Sequence, residues 1–175
     1  MKALILAGGR GSRLEEKTTC TNKCLLDLNG RPVIEYNLDR AKDAGVHEII
    51  LLVGHCAEQI INRYGILYKN VPIRYVIQWE QKGLVHAIES CTNELNNEDF
   101  FLLLGDEVIT GARIHDLIET FYQNEPFVLC GIINQPVVEK ISRTYTVLTS
   151  ESGQVIRLIE KPHVAVNTIQ GTGHC

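Results

Sequence analysis

The chain opens with residues 1–14, MKALILAGGRGSRL, in which a short apolar strand (Lys2 to Ala7) runs directly into a glycine-rich loop. The glycines of this loop carry no Cβ and permit positive φ, so successive backbone N–H groups can converge on an anion. Arg13 adds a planar fork of donors, and Lys23 adds a compact positive charge shortly afterwards. The opening stretch therefore predicts a phosphate site at the end of a buried strand.

Other interpretations of this loop fit less well or remain open. A glycine-rich turn after an apolar strand is often only a tight connection, and the loop alone leaves that alternative open. A dinucleotide-binding fingerprint starting at Gly9 would need a third glycine where Leu14 stands. A Walker A loop would need Gly-Lys-Ser or Gly-Lys-Thr, which does not follow.

Short apolar segments alternate with helical patterns along the rest of the chain. The apolar spacing predicts strands over Glu48 to Val53, Ile73 to Ile77, Phe100 to Leu104 and Phe127 to Ile133. It predicts helices from Val33 to a stop at Gly45, from Ala57 to Tyr64, from Gly83 to about Leu95, and from Ile114 to Tyr122. This alternation is typical of an α/β fold with a doubly wound, mostly parallel sheet. A hairpin predicted over Tyr145 to Thr149 and Val155 to Ile159 adds an antiparallel element, so a mixed sheet is expected.

Polar residues follow several of the predicted strands at the point where each strand ends. Gln78 comes after the third strand, and Asp106 comes after the strand Phe100 to Leu104. Ligands of open α/β sheets bind beyond the carboxyl ends of the strands, so we expect both residues to lie near the glycine-rich loop. A carboxylate at this edge can bind Mg²⁺ shared with a triphosphate. The alternative is that Asp106 only caps the following turn.

The whole composition limits the class of protein. With 175 residues, 45% of them hydrophobic and 22% charged, the chain is expected to form a single domain with one core. A net charge of −4 argues against nucleic acid as a partner. The sequence contains no apolar run of about 18 residues, so neither a membrane span nor a signal peptide is expected, and we predict a cytoplasmic protein. The six cysteines form no CxxC pair, so a zinc site is not expected.

Four separated motifs occur in a recognisable order. They are Leu6-Ala7-Gly8-Gly9-Arg10-Gly11-Ser12-Arg13-Leu14 continued by Thr18, Thr21 and Lys23 to Leu26; Gln78 with Gly83 to Ala87; Asp106; and Glu160-Lys161-Pro162. Together they resemble the motifs of the sugar-1-phosphate nucleotidyltransferases over nearly the whole chain. This family makes nucleoside-diphosphate sugars from a nucleoside triphosphate and a sugar 1-phosphate. The resemblance implies a Rossmann-like sheet of the nucleotide-diphospho-sugar transferase type.

The resemblance also implies a reaction. The sugar phosphate oxygen attacks the α-phosphorus of a nucleoside triphosphate, UTP or dTTP most simply, and pyrophosphate leaves without a covalent enzyme intermediate. The protein then contributes positioning and charge stabilisation.

Individual roles follow from the same resemblance. Nucleotide-binding residues would be Leu6, Ala7, Gly8, Gly9, Gly11, Ser12, Gln78 and Gly83. Arg13 would hold the departing phosphates and Lys23 the reacting α-phosphate, while Asp106 would bind Mg²⁺. Glu160 would hold sugar hydroxyls, and Lys161 would meet the sugar phosphate.

The sequence departs from the family pattern at several places, among them Asn22 and Cys24 in place of proline and Thr146 in place of a glycine. Glu15 and Glu16 stand where the family usually carries Arg-Pro, and carboxylates there repel a triphosphate. Gly171 to Cys175 resembles the opening of the family's next core strand, so we expect a domain that is incomplete at its C-terminus and lacks the second metal-binding aspartate. Either the sequence is a fragment of a longer chain, or a homo-oligomer or another chain completes the fold. Two alternatives to the sugar reaction stay open: a non-catalytic regulatory module that binds nucleotide or sugar phosphate, and transfer to a non-sugar acceptor such as an alcohol phosphate.

Overall fold

A computed structural model of the chain describes residues 1–9, 21–111, 113–142, 144–164 and 166–175. The predicted site residues Gly11, Ser12 and Arg13 lie outside the described residues, as do Glu15 and Glu16. The chain divides into two compact units, Met1–Asn124 and Glu125–Cys175, each considered by itself. The single domain expected from the sequence stays a prediction.

The first unit alternates strands and helices. Its described strands are β1 (Lys2–Ala7), β2 (Asp27–Leu28), β3 (Arg31–Pro32), β4 (Ile49–Val53), β5 (Leu67–Tyr68), β6 (Val71–Ile77) and β7 (Phe100–Leu104). Its described helices are α1 (Val33–Asp43), α2 (Ala57–Tyr64), α3 (Leu84–Glu89), α4 (Thr92–Leu95) and α5 (Ile114–Asn124), with a 3₁₀ turn at Lys23–Leu25.

Five of these strands form one sheet in the order β5-β6-β4-β1-β7. Strand β1 lies at its interior and pairs in parallel with β4 on one side and β7 on the other. Strand β6 is parallel to β4, whereas the short β5 is antiparallel to β6. The mostly parallel, mixed α/β sheet predicted from the sequence is therefore confirmed.

The core explains the continuous apolar runs of the central strands. All five residues of β4 are fully buried, as expected for a strand covered on both faces. Helix α1 packs Ile34, Leu38 and Ala41 into the same core, and Gly45 follows its end at φ +73°. This left-handed conformation favours glycine, so the predicted helix stop at Gly45 is confirmed.

The predicted helix from Gly83 to Leu95 was wrong in one respect, because two shorter helices, α3 and α4, replace it. The break falls at Cys91, whose N–H bonds three residues back, to the carbonyl of Ile88, at 2.9 Å. Cys91 has a φ of −104°, away from helical values, and directly precedes α4.

The second unit contains short elements. They are β8 (Ile132–Asn134), α6 (Val138–Ile141), β9 (Tyr145–Thr149), β10 (Val155–Glu160) and β11 (Ile169–Gly171). The predicted hairpin is confirmed as the antiparallel pair β9 and β10. Among the described residues, however, these two strands form a sheet of their own and do not extend the five-stranded sheet.

The predicted strand from Phe127 to Ile133 was also wrong over most of its length. Of the predicted segment, only Ile132 and Ile133 belong to a described strand, β8, which pairs with β11 over three residues. Phe127 is fully exposed, so it is not a core residue of its unit. None of the described helices combines the length and apolar character needed to cross a bilayer.

Candidate functional site

The loops that follow the parallel strands lie at one edge of the sheet. Because β1, β4, β6 and β7 run in the same direction, their carboxyl ends meet there. The residues that follow these ends are Gly8 and Gly9, Gly54 and His55, Gln78, and Gly105 and Asp106. This edge contains the described part of the predicted phosphate loop.

The loops approach one another so closely that side chains are excluded at several positions. A Cβ at Gly54 would lie 2.7 Å from the carbonyl oxygen of Gly8, and one at Gly8 would collide with the side chain of Gln78. A Cβ at Gly105 would lie 3.0 Å from the carbonyl oxygen of Leu6. Glycine at these positions therefore allows the backbones to meet at the edge of the sheet.

Lys23 and Asp106 form an ion pair at this edge. The Lys23 ammonium donates to Oδ2 of Asp106, and a Cβ at Gly9 would lie 3.2 Å from Lys23 Nζ. The side chains are 22% exposed for Lys23 and 40% exposed for Asp106, so solvent reaches both. The structure thus brings together Gly9, Lys23 and Asp106, as the sequence predicted. Their roles in binding stay predictions.

The segment after β6 also reaches the glycine loop. Gln81 Nε2 donates to the carbonyl oxygen of Gly8 at 2.7 Å, a contact that sequence reasoning missed. Gly83 opens α3 at φ +99°, a conformation that favours glycine, and nothing lies within 4 Å of where its Cβ would be. The single tryptophan of the chain, Trp79, follows Gln78 directly and is 88% exposed. An open polar and aromatic surface therefore adjoins Gly8.

The carbonyls at the end of β1 already have protein partners. Leu6 O accepts from Gly105 N at 2.9 Å, and Ala7 O accepts from Asn22 Nδ2 at 3.0 Å. These two residues hold neighbouring loops in place. Their predicted part in nucleotide binding is not contradicted and stays a prediction.

Two buried asparagines at this edge were missed by sequence reasoning. Asn22 also donates from Nδ2 to the carbonyl of His55 at 2.7 Å, and its Oδ1 accepts from Cys24 N at 2.9 Å. Asn37 Nδ2 donates to the carbonyls of Leu104 at 2.9 Å and Glu107 at 2.8 Å. The only sequence signal was a polar residue within apolar helical spacing, which applies to Asn37 alone.

The buried Cys24 is not a nucleophile. Burial raises the pKa of its thiol to about 12, and the negative charge of Asp106 adds to that shift. The thiol therefore stays protonated near neutral pH, where reactivity would require a thiolate. It packs against the loop instead, since a Cβ at Gly105 would lie 3.1 Å from its sulfur.

The residues predicted to hold the sugar phosphate belong to the second unit. Glu160 ends β10, and Lys161 follows it at φ +44° with its N–H donating to Thr144 O at 2.7 Å. The ammonium of Lys161 lies 3.1 Å from Glu160 Oε1, and both side chains are more than half exposed. Their charged ends are therefore accessible to solvent.

Asp106 offers one carboxylate for a metal ion. No group of three or more His, Cys, Asp or Glu among the described residues could hold a metal. Mg²⁺, however, is commonly bound by one or two carboxylates together with substrate phosphates and water. Oδ1 of Asp106 has no hydrogen-bond partner in the described part of the chain, whereas Oδ2 is paired with Lys23. This donor set fits a Mg²⁺ ion shared with a triphosphate.

Comparison with known proteins assigns the family. The nucleotidyl transferase family profile matches residues 2–174. The chain belongs to the nucleotidyl transferase family. It is 32% identical over 174 residues to UTP–glucose-1-phosphate uridylyltransferase AglF of Haloferax volcanii, covering 99% of this chain and 70% of that protein. It is 31% identical over 169 residues to a glucose-1-phosphate thymidylyltransferase of Streptomyces griseus, covering 93% of this chain and 45% of that protein.

Solved structures give the same assignment at the level of the fold. A provisionally assigned glucose-1-phosphate thymidylyltransferase from Bacillus anthracis, solved with sucrose, has a TM-score of 0.87 and 26% identity over 99% of this chain and 70% of that chain. A UDP-glucose pyrophosphorylase solved with UDP-glucose also has a TM-score of 0.87, at 21% identity over 99% of this chain and 74% of that chain. The resemblance to the sugar-1-phosphate nucleotidyltransferases and the Rossmann-like fold that it implies are therefore confirmed.

Proposed function

We propose that this nucleotidyl transferase moves a nucleotidyl group from UTP or dTTP to a sugar 1-phosphate, giving a nucleoside-diphosphate sugar and pyrophosphate. The observation that supports it best is the Lys23–Asp106 pair beside Gly9 at the carboxyl edge of the sheet. This edge is where the phosphates of a bound nucleotide are expected in an open α/β sheet. The named relatives act on UTP or thymidylyl donors and glucose 1-phosphate.

Each residue group has a distinct part in this proposal. The N–H groups around Gly8 and Gly9, with Arg13, hold the triphosphate, and Gln78 and Gly83 hold the base. Lys23 places its positive charge at the α-phosphate, where negative charge develops as the oxygen attacks.

The acceptor and the metal complete the assignment. Lys161 binds the acceptor phosphate, and Glu160 binds sugar hydroxyls. Asp106 would hold Mg²⁺, and the bound ion would neutralise negative charge on the phosphates. The proposal includes a cytoplasmic location and self-association.

Pyrophosphate release tests the proposal directly. The protein is incubated with Mg²⁺ and every pairing of four nucleoside triphosphates with a set of sugar 1-phosphates and alcohol phosphates. We expect release with UTP or dTTP and a sugar 1-phosphate, and a loss of about 10²- to 10³-fold in Lys23→Met and Asp106→Asn. The matched control is Lys42→Met, because Lys42 is exposed and its ion pair is with the neighbouring Asp43. Release only with alcohol phosphates would contradict the sugar assignment.

A non-catalytic binding module is the second candidate, favoured by one observation. Lys23 and Asp106 already neutralise each other, so neither charge of this pair needs a ligand. Trp79 reports nucleotide binding in either case, because its exposed ring next to Gln78 should change fluorescence when a nucleotide binds. A fluorescence change with triphosphate, together with no pyrophosphate from any pair, would favour the binding module.

A further inference from the structure

Two buried asparagines hold the backbone on either side of the Lys23–Asp106 pair. Asn22 is completely buried, and Asn37 is 1% exposed. Asn22 directly precedes Lys23, while Asn37 lies in α1 and contacts the turn that carries Asp106. Burying a side-chain amide costs free energy unless hydrogen bonds compensate for the lost water. The hydrogen-bond partners of these two side chains therefore show what the asparagines hold in place.

Asn22 ties the turn of Lys23 to two strands of the sheet. Its Nδ2 donates to Ala7 O at 3.0 Å and to His55 O at 2.7 Å, while its Oδ1 accepts from Cys24 N at 2.9 Å. Ala7 ends β1, and His55 follows β4. The backbone of Lys23 is therefore fixed to the rigid centre of the sheet.

Asn37 holds the backbone on either side of Asp106. Its Nδ2 bridges Leu104 O at 2.9 Å and Glu107 O at 2.8 Å, while Glu107 N donates to Leu104 O at 3.1 Å. These bonds close a four-residue turn with Asp106 in its third position. Oδ1 of Asn37 is buried and has no hydrogen-bond partner among the described residues. A leucine would avoid this cost, so the geometry indicates that the donor group is retained to hold the turn.

We propose that Asn22 and Asn37 are positioning residues that set the Lys23 ammonium and the Asp106 carboxylate for the reaction. The proposal rests on the proposed function, which assigns this pair to the phosphates and Mg²⁺. An aspartate side chain is short, so it cannot correct for a displaced turn. A displacement of about 1 Å costs on the order of 10²-fold in rate.

The test uses variants of the full chain that remove hydrogen bonds of Asn22 or Asn37 and keep a side chain of similar or smaller size. Asn37→Leu removes both donated bonds, and Asn22→Ser keeps an acceptor for Cys24 N but cannot bridge two carbonyls. The matched control is Leu38→Ala, which shortens a buried side chain next to Asn37 on α1 and lowers the melting temperature but keeps the two bonds from Asn37 to the turn. We expect Asn37→Leu to lower kcat about 10²-fold, with a smaller change in KM. Asn22→Ser should lower kcat in the same direction, and Leu38→Ala should leave it near the wild-type value.

Crystal structures of the same variants give a readout that does not depend on turnover. We expect the Lys23–Asp106 contact to be kept in the wild type and in Leu38→Ala, and to be lost in Asn37→Leu. Retention of the contact and of kcat in Asn37→Leu would overturn the proposal. A wild-type chain that releases no pyrophosphate would refute the proposed function, and the contact in the variant structures would still decide the positioning role. If Asn37→Leu is too unstable to crystallise, Asn22→Ser alone decides the proposal by the same criteria.

Discussion

At the scale of single residues, two lysines near β1 show how placement decides the role of one chemical group. Lys2 is 7% exposed at the start of the strand, where its ammonium donates to Glu94 O at 2.6 Å and lies 3.0 Å from Glu98. Lys23 lies at the carboxyl edge, with Gly9 and Asp106. The first ammonium is enclosed by protein acceptors and is structural. The second is partly exposed, is paired with Asp106 and lies where we propose that phosphate binds.

The cysteines lie in different environments, which shift the pKa values of their thiols in opposite directions. A hydrogen bond from Cys175, 3.5 Å away, lowers the pKa of Cys130 to about 7 despite partial burial. Burial raises the pKa of Cys24 and of Cys91 to about 12. We expect iodoacetamide at about pH 7.5 to alkylate Cys130 well before Cys24 or Cys91, because the thiolate is the reactive form.

Peptide mass spectrometry of briefly alkylated native protein measures this order. Cys175→Ala is the control, since it removes the donor and should slow the labelling of Cys130. Labelling of Cys24 or Cys91 at the same rate as Cys130 would contradict the assignment.

At the scale of elements, a group of ion pairs joins α1 to neighbouring strands through Asp39. Its carboxylate accepts from Arg31 at 2.8 Å, from the Tyr68 hydroxyl at 2.8 Å and from Lys69 at 2.6 Å. Partial burial raises the pKa of Asp39, but these hydrogen bonds outweigh it and hold the pKa below its ordinary value of 3.8. The β2–β3 turn, α1 and the end of β5 are thereby connected through one side chain.

This connection predicts how stability depends on pH. Because the folded pKa of Asp39 is depressed, its contribution is fully present above 3.8 and is lost as the pH falls through the folded value. We expect Asp39→Asn to lower the free energy of unfolding by about 1–3 kcal/mol at neutral pH. The difference from the wild type should shrink below pH 3.8.

Urea denaturation at neutral and acidic pH measures this difference. Asp43→Asn is the matched control, since that carboxylate is 61% exposed and lies 3.8 Å from Lys42. An equal loss in both variants, or a difference that persists unchanged in acid, would refute the role of Asp39.

The break between α3 and α4 shows what element prediction misses. The apolar positions from Gly83 to Leu95 fit a single helix, and apolar spacing carries no information on the backbone angles of one residue such as Cys91. The predicted strand at Phe127 failed because a strand needs a partner, and the described pairing with β11 covers only Ile132–Asn134.

At the scale of the whole molecule, burial is concentrated in the first unit. All five residues of β4 are fully buried, whereas Val155, Ile156 and Leu158 of β10 are each more than half exposed. Local opening is easiest where few buried contacts hold a strand.

This contrast predicts the pattern of amide hydrogen exchange. We expect the amides of β4 to exchange only through global unfolding, and those of β10 to exchange faster by local opening. Hydrogen exchange followed by mass spectrometry of peptides from the two strands measures both rates. Equal protection of the two strands under native conditions would show that the second unit is stabilised beyond its own described contacts.

The sequence by itself determined the class of fold, because the alternation of buried strands and amphipathic helices is a local pattern that survives without coordinates. It also placed Gly9, Lys23 and Asp106 at one edge, since parallel strands must end together. Only the tertiary structure decided that Lys23 pairs with Asp106, and that Asn22 and Asn37 hold the turns around them. These contacts join residues 15 to 83 positions apart, and side-chain partners at such separations are set by packing rather than by any periodicity along the chain.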